Sequence, residues 1–225
     1  MSQLYNTGVA SFGIQILSAI LDIYALVTKT DPSLAVIRTL LMIELAVQFV
    51  EGSFYYWMIT NFQQIKNITP FRYYDWALTT PTMLFTFCVF LMYVRNREEQ
   101  LVPASLTDLL TPTAVNVIAA IVCLNAAMLA FGYFTEKGYM GVVAGTAAGF
   151  VPFVLMFYLV YMYFAQYTTT GTYAFYAFAG VWALYGIAAL THYKTKNIAY
   201  NILDLFSKNF FGFFLAFLLL TSPKV

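Results

Sequence analysis

Seven long apolar stretches, separated by short polar breaks, run through the whole chain. They lie near residues 4–28, 34–60, 70–95, 108–133, 139–166, 172–193 and 197–221. Each is long enough for a helix that crosses a bilayer, which takes about 20 residues. The runs are continuous and do not alternate with polar residues, which argues against a membrane β-barrel. The pattern predicts an all-α bundle of seven transmembrane helices in one membrane domain, residues 1–225, here numbered helix one to helix seven.

The composition is that of a membrane protein and gives no basis for a nucleic-acid-binding protein or a metal-binding protein. The 225 residues are 61% hydrophobic and only 9% charged, whereas a soluble domain is usually about 25% charged. A net charge of +1 offers no electrostatic basis for binding nucleic acid. The two cysteines, Cys88 and Cys123, lie inside apolar runs and are interpreted as small core residues, with no metal site. The predicted partner of the chain is therefore the lipid bilayer.

The polar breaks predict helix starts but leave the orientation open. Asp31-Pro32-Ser33 and Thr107-Asp108 have the capping chemistry of a helix N-terminus. Short links make neighbouring helices antiparallel, and an odd number of helices puts the two termini on opposite sides. The basic residues near the helix ends divide equally between the two sides: Lys29, Arg95, Arg97 and Lys224 on one, and Lys66, Lys137, Lys194 and Lys196 on the other. The positive-inside rule therefore gives no orientation.

Ionisable residues inside the predicted spans need a reason, because each costs roughly 2.5 kcal/mol or more unless it is paired or hydrated. The residues concerned are Asp22, Arg38, Glu44, Glu51, Arg72, Asp75, Asp204 and Lys208. In helix seven, Asn197, Asn201, Asp204 and Lys208 are spaced by four, three and four residues, so they share one face. Spacing alone favours a buried structural ion pair over a lysine amine condensed with a carbonyl as a Schiff base.

Helix three begins with the polar sequence RYYDWALTTP, from Arg72 to Pro81. Arg72 and Asp75 are three residues apart and share a face. Trp76 and Thr80 form the adjacent face, where the indole can present a wall to a ligand. A second carboxylate close to the lysine of helix seven would keep a Schiff base protonated. Helix three therefore strengthens the hypothesis of a Schiff-base lysine.

The pattern R-Y-x-D-W-x-x-T-T-P, followed in helix seven by D-x-x-x-K, resembles the microbial (type I) rhodopsins over the whole seven-helix layout. The resemblance implies a photoreceptor, not an enzyme, that holds all-trans retinal on Lys208 as a Schiff base. It implies Asp75 and Asp204 as counterions and Arg72 as a gate on the extracellular side. It implies a chromophore pocket lined by Trp76, Thr80, Pro81, Trp182 and Tyr185. It also implies an extracellular N-terminus, a cytoplasmic C-terminus and the option of a homo-oligomer.

Three positions depart from the pattern of the proton-pumping members. Gly186 stands where the family usually has proline, and Ala189 stands where a second aromatic residue is common. We therefore expect the ring end of the pocket to be roomier or differently packed. Thr86 occupies the position where pumps carry a carboxylate that reprotonates the Schiff base. A hydroxyl cannot store a proton near neutral pH, so a fast pump of the usual design is disfavoured.

Polar residues also follow one face of helices one, two and seven. They are Ser11, Gln15, Ser18 and Asp22 in helix one, Glu44 and Glu51 in helix two, and Asn197, Asn201, Asp204 and Ser207 in helix seven. These helices are neighbours in the fold, so the three faces can meet in one hydrated seam whose carboxylates favour cations. The simpler alternative is hydrogen bonding between helices, at about 0.6 kcal/mol per side chain. The pattern resembles the rhodopsins of large algal viruses, whose first group consists of light-gated cation channels.

The leading hypothesis is a light-gated cation channel, gated by retinal isomerisation and Schiff base deprotonation, with a pore between helices one, two and seven. The predicted ion pathway comprises Arg72, Glu44, Glu51, Ser11, Gln15, Asn197 and Asn201. One alternative is a light-driven outward proton pump with Glu44 as proton donor. Another is a photosensor that signals to a dedicated transducer. The transported species are thus predicted to be cations or protons.

Overall fold

The structure is a computed structural model that describes residues 2–101 and 105–221, and seven helices in this part are long and apolar enough to cross a membrane. Helices one to four are Ser2–Val27, Ala35–Thr60, Thr69–Glu98 and Pro112–Glu136. Helix five is Val142–Val160 continued by a π-helical turn, Tyr161–Ala165, and helix six is Thr169–Ala189. Helix seven comprises Tyr193–Asp204, a π-helical turn, Leu205–Asn209, and Phe210–Thr221. The all-α prediction is confirmed, and the chain is an integral, multi-pass membrane protein.

The start of helix two follows the predicted capping chemistry. The carboxylate of Asp31 accepts a hydrogen bond from the backbone N–H of Ser33 at 2.7 Å. This contact precedes a 3-10 turn, Pro32–Leu34, which leads directly into the helix. Proline has no backbone N–H, but the N–H at the first position of a helical turn has no partner within the helix. Pro32 therefore costs the turn no hydrogen bond.

The second predicted start belongs to a different element. Asp108 and Ser105 form a capping box on a separate short helix, Leu106–Leu109. Helix four begins later, at Pro112, where the side chain of Thr111 caps its first turn. The sequence signal was therefore real but marked the short helix, because two capping sites follow each other closely in this connection.

Two residues lie in surroundings that differ from the prediction. Cys88 is buried, as expected of a core residue, but Cys123 is exposed on the outer surface of helix four. Lys196, which we counted among the basic residues near the helix ends, lies in the first turn of helix seven. It is buried there and forms an ion pair with Glu136 at 2.5 Å. Lys224 lies outside the described residues.

The arrangement of the helices sets a polar half of the bundle against an apolar half. Helices one, two and seven contact one another in pairs, and helix three packs against helices two, four and six. The C-terminal half of helix three lies in the apolar core, where the Phe87 and Phe178 rings stack with centroids 4.1 Å apart. The N-terminal half of helix three faces the polar residues of helices two and seven. Lys208 lies between the two halves.

Candidate functional site

The amine of Lys208 is surrounded by three carboxylates in the middle of the bundle. Its Nζ donates a hydrogen bond to Asp75 Oδ2 at 2.7 Å, and the side chain is only 2% exposed. Glu51 Oε1 lies 3.6 Å from Nζ and Asp204 Oδ1 lies 3.9 Å from it. The structure thus brings together Asp75 and Asp204, the predicted counterions. It adds Glu51, which the sequence analysis placed only in the ion pathway.

A local change of helix geometry helps to place the lysine. The π-helical turn Leu205–Asn209 inserts extra backbone into helix seven, and both Lys208 and the adjacent Asn209 are buried within it. Such turns are rare in α-helices and occur frequently at functional sites. Residue spacing assumed a regular helix, so the sequence analysis predicted Lys208 on the inner face but not Asn209.

Arg72 is fully buried and connects helix three to helix seven. Its Nη1 lies 3.2 Å from Asp204 Oδ2, and its Nε donates to Asn197 Oδ1 at 3.0 Å. Its Nη2 donates to the side-chain oxygen of Asn201. The charge of Arg72 is therefore matched by a carboxylate and two amide oxygens, which is the kind of pairing that a buried charge requires. Arg72, Asn197 and Asn201 thus form a buried hydrogen-bonded network between helices three and seven.

Two tyrosine hydroxyls hold the carboxylate of Asp204 from opposite sides. Tyr55 donates to Oδ2 and Tyr185 donates to Oδ1, each at 2.8 Å. The sequence analysis missed Tyr55, although it lies one helical turn after Glu51 on the same face of helix two. That spacing was the available signal. It was obscured by the many other tyrosines in the chain, most of which do not face this cluster.

Removing the Tyr55 hydroxyl by Tyr55→Phe should destabilise the protein by about 1–3 kcal/mol, because a buried carboxylate then loses a hydrogen-bond donor. The measurement is the midpoint temperature at which the purified protein loses its visible absorption band. Tyr56→Phe is the matched control, since Tyr56 is the adjacent residue and is 61% exposed. Equal midpoints for the two variants would contradict a supporting role for Tyr55.

A cavity lined mainly by aromatic and other apolar residues begins at Lys208 and extends between helices three to seven. The predicted residues Trp76, Thr80, Trp182 and Tyr185 all line it. Pro81 lies inside helix three and is not among the cavity-lining residues of the described chain. An apolar cavity with one buried amine at its end fits the retinal group, whose polyene is apolar and whose aldehyde condenses with an amine.

Helix five determines the packing at the far end of this cavity. Gly186 and Ala189 both line it, at the two positions that depart from the family pattern. A Cβ on Gly186 would lie only 2.5 Å from the ring of Phe150, so that ring occupies the space of a larger residue. Phe150 therefore packs against Gly186 where a larger residue would not fit.

The polar faces of helices one, two and seven meet in one seam, as predicted. Ser11 donates to the backbone oxygen of Asn201 at 2.9 Å, and Asn201 donates to Thr7 at 2.9 Å. Other buried polar atoms along this seam have no hydrogen-bond partner among the described residues. They belong to Gln15, Ser18, Asp22, Glu44, Gln48, Glu51 and Asn209. Gln48 and Asn209 were not among the predicted residues.

Comparison with known proteins supports the likeness inferred from these motifs. The family profile described as "Bacteriorhodopsin-like protein" matches residues 6–222. The chain belongs to the bacteriorhodopsin-like family. Its members are retinal proteins that transport ions or sense light, so the chain is a retinal photoreceptor and not an enzyme. No curated protein sequence matches the chain.

Several solved rhodopsin structures share this fold. The viral rhodopsin OLPVRII is 26% identical with a TM-score of 0.79, and the match covers 95% of each chain. Acetabularia Rhodopsin I is 19% identical with a TM-score of 0.75, over 96% of this chain and 94% of that one. The light-driven proton pump Coccomyxa subellipsoidea Rhodopsin CsR is 17% identical with a TM-score of 0.70, over 96% and 97%. The last two matches, below 25% identity, indicate the fold alone.

Proposed function

We propose that this bacteriorhodopsin-like protein is a light-gated cation channel whose pore follows the seam between helices one, two and seven. The observation that supports it is the series of buried polar atoms along that seam, from Gln15 to Asn209, for which the described residues offer no hydrogen-bond partner. Buried polar side chains in proteins are nearly always hydrogen-bonded, so such a series favours a path that water and ions can enter. Glu44 and Glu51 give the path a negative charge, which favours cations.

In this proposal Lys208 holds all-trans retinal, and Asp75 and Asp204 balance its charge. Retinal supplies the absorption of light and a change of shape within the cavity. Trp76 and Trp182 form walls of the cavity and limit the directions in which that change can act. Asp75 Oδ2 accepts the hydrogen bond of the Lys208 nitrogen, so it is placed to receive its proton. The N-terminus is proposed to be extracellular.

Glu51 connects the lysine to the pore. The cluster contains the three carboxylates of Glu51, Asp75 and Asp204 against the two bases Lys208 and Arg72, which leaves one negative charge in excess. A proton on Glu51, whose oxygens have no hydrogen-bond partner among the described residues, would balance this excess. Transfer of the lysine proton to Asp75 removes the positive charge of Lys208 and the negative charge of Asp75. Glu51 and Arg72 can then shift and open the seam.

The test is voltage clamp of illuminated cells that express the chain with retinal, with the wild type beside Glu51→Ala. We expect a wild-type photocurrent that reverses with voltage and follows the external cation, and a conductance about tenfold lower in Glu51→Ala. Glu98→Ala, which removes an exposed acid, is the control and should retain the conductance. A current of fixed direction at every voltage would exclude the channel. Unchanged conductance in Glu51→Ala would exclude this pore while leaving the channel intact.

A second candidate is an outward proton pump, and one contact favours it. The hydroxyl of Thr86 donates a hydrogen bond to Glu44 Oε1. An acid from helix two thus lies beside the position where the family's pumps carry their proton donor in helix three. Glu44 could then reprotonate the lysine nitrogen. Light-driven acidification of a suspension of expressing cells, abolished by a protonophore and slowed by Glu44→Gln, would support the pump over the channel.

A further inference from the structure

We propose that Asp22, Glu44 and Gln48 bind a monovalent cation in transit, at a site one helical turn beyond Lys208 along helix seven. The inference rests on the proposed channel function and deepens it, because it names where the ion loses part of its water. It depends on three observations that are independent of the retinal site. They are the hydrogen bond between Asp22 and Gln48, the glycine that helix seven places beside this pair, and the oxygens of Asp22, Glu44 and Gln48 for which the described residues offer no hydrogen-bond partner.

Asp22 of helix one and Gln48 of helix two are paired across the seam. Asp22 is fully buried and Gln48 is 3% exposed, and Gln48 Nε2 donates a hydrogen bond to Asp22 Oδ2. The other oxygens of the pair, Asp22 Oδ1 and Gln48 Oε1, have no hydrogen-bond partner among the described residues. A buried carboxylate that meets only one amide is incompletely compensated, and a cation would supply the missing interaction.

Helix seven accommodates this pair with a glycine. A Cβ at Gly212 would lie 2.7 Å from Gln48 Nε2 and 2.9 Å from Asp22 Oδ2. Any side chain at this position would push the carboxylate or the amide out of place. The seam is thus shaped here around polar atoms of helices one and two, with only backbone on the third side.

Glu44 adds a second carboxylate to the cluster. It lies one turn before Gln48 on the same face of helix two. Thr86 donates to Glu44 Oε1, whereas Oε2 has no hydrogen-bond partner among the described residues. The cluster therefore offers three free oxygens: Asp22 Oδ1, Gln48 Oε1 and Glu44 Oε2.

The basic side chains nearby are engaged elsewhere. Lys208 contacts Asp75, Glu51 and Asp204, and Arg38 donates to the backbone oxygen of Leu26. No ion pair within the described residues includes Asp22 or Glu44.

Oxygen ligands suit alkali and alkaline-earth cations. A permeant ion must also leave, and three protein oxygens hold a monovalent cation weakly enough for that.

Binding can be tested in the dark, without any photocurrent. The retinal-bound protein is heated in detergent in NaCl or in N-methyl-D-glucamine chloride of equal ionic strength. We expect Na⁺ to raise the midpoint of band loss by about 2–4 °C, because a ligand of the folded state stabilises it. Asp22→Asn and Gly212→Ala should lose this shift. Gly13→Ala should keep it, because a Cβ at Gly13 meets no atom within 4 Å.

The same variants separate this site from the channel proposal. In voltage clamp, Asp22→Asn and Gly212→Ala should reduce the Na⁺ photocurrent about tenfold while the wild type and Gly13→Ala conduct. A fixed-direction current would overturn the channel, yet a Na⁺ shift lost in both variants would still establish the site. No Na⁺ shift in the wild type, or an equal shift in all four proteins, would overturn the site even if the channel conducts. A midpoint that follows pH but not Na⁺ would assign the cluster to a proton and likewise overturn it.

Discussion

Lys208→Ala is expected to abolish the visible absorption band of the protein expressed with retinal. The structure places this amine at the inner end of the aromatic cavity, 2.7 Å from the carboxylate of Asp75. Alanine provides no nitrogen to which the retinal aldehyde can be attached. Absorption spectra of the purified variant beside the wild type provide the measurement, and loss of essentially the whole band is the predicted result.

Lys194→Ala serves as the control for this experiment. Lys194 is an exposed lysine at the start of helix seven, so its loss should leave the band unchanged. A Lys208→Ala protein that still carries a covalently bound visible chromophore would show that another amine holds the retinal. Lys196, buried and paired with Glu136, would then be the next lysine to replace.

Arg72→Ala is expected to be the most destabilising single substitution in the polar cluster, by about 3–5 kcal/mol, because the buried carboxylate of Asp204 loses the nearer of its two charge partners. Arg72 is completely buried and contacts Asp204, Asn197 and Asn201. Its removal also takes away the hydrogen bonds that Arg72 donates to the side-chain oxygens of Asn197 and Asn201. The measurement is the rate and midpoint of thermal loss of the absorption band.

Arg95→Ala is the matched control in the same helix. Arg95 forms an ion pair with Glu99, but the two side chains are 41% and 47% exposed. Exposed pairs of this kind contribute about 0–1 kcal/mol. The two arginine variants should therefore differ by several degrees in midpoint. If Arg72→Ala and Arg95→Ala lose the absorption band at the same midpoint temperature, water can replace the buried network, and that network does not hold helices three and seven together.

Local patterns in the sequence were sufficient for most of the fold. The apolar runs predicted seven spans because a bilayer demands about 20 apolar residues per helix, and the composition left few residues for a soluble surface. Helix ends were less certain, since capping residues are short-range signals. Thr107-Asp108 marked a real helix, Leu106–Leu109, but helix four begins at Pro112.

Some residues of the site could be recognised from spacing within one helix, and others depend on contacts between helices. Spacing within helices three and seven placed Arg72 with Asp75, and Asp204 with Lys208, on shared helix faces, and the family resemblance supplied their roles. Tyr55 escaped because its role depends on a carboxylate that is distant in the sequence. Tyrosines are common in this chain, so residue type alone did not distinguish it.

The amino-acid sequence by itself determined that the chain is a seven-helix membrane protein of the rhodopsin type, with a lysine and its carboxylates inside the bundle. Hydrophobic length and helical periodicity are local properties, and both can be read along one helix. Only the tertiary structure decided that Glu51 reaches the lysine and that Asp22 meets Gln48 against the bare backbone of Gly212. Those contacts join different helices, and they depend on how the helices rotate and pack, which no single segment encodes.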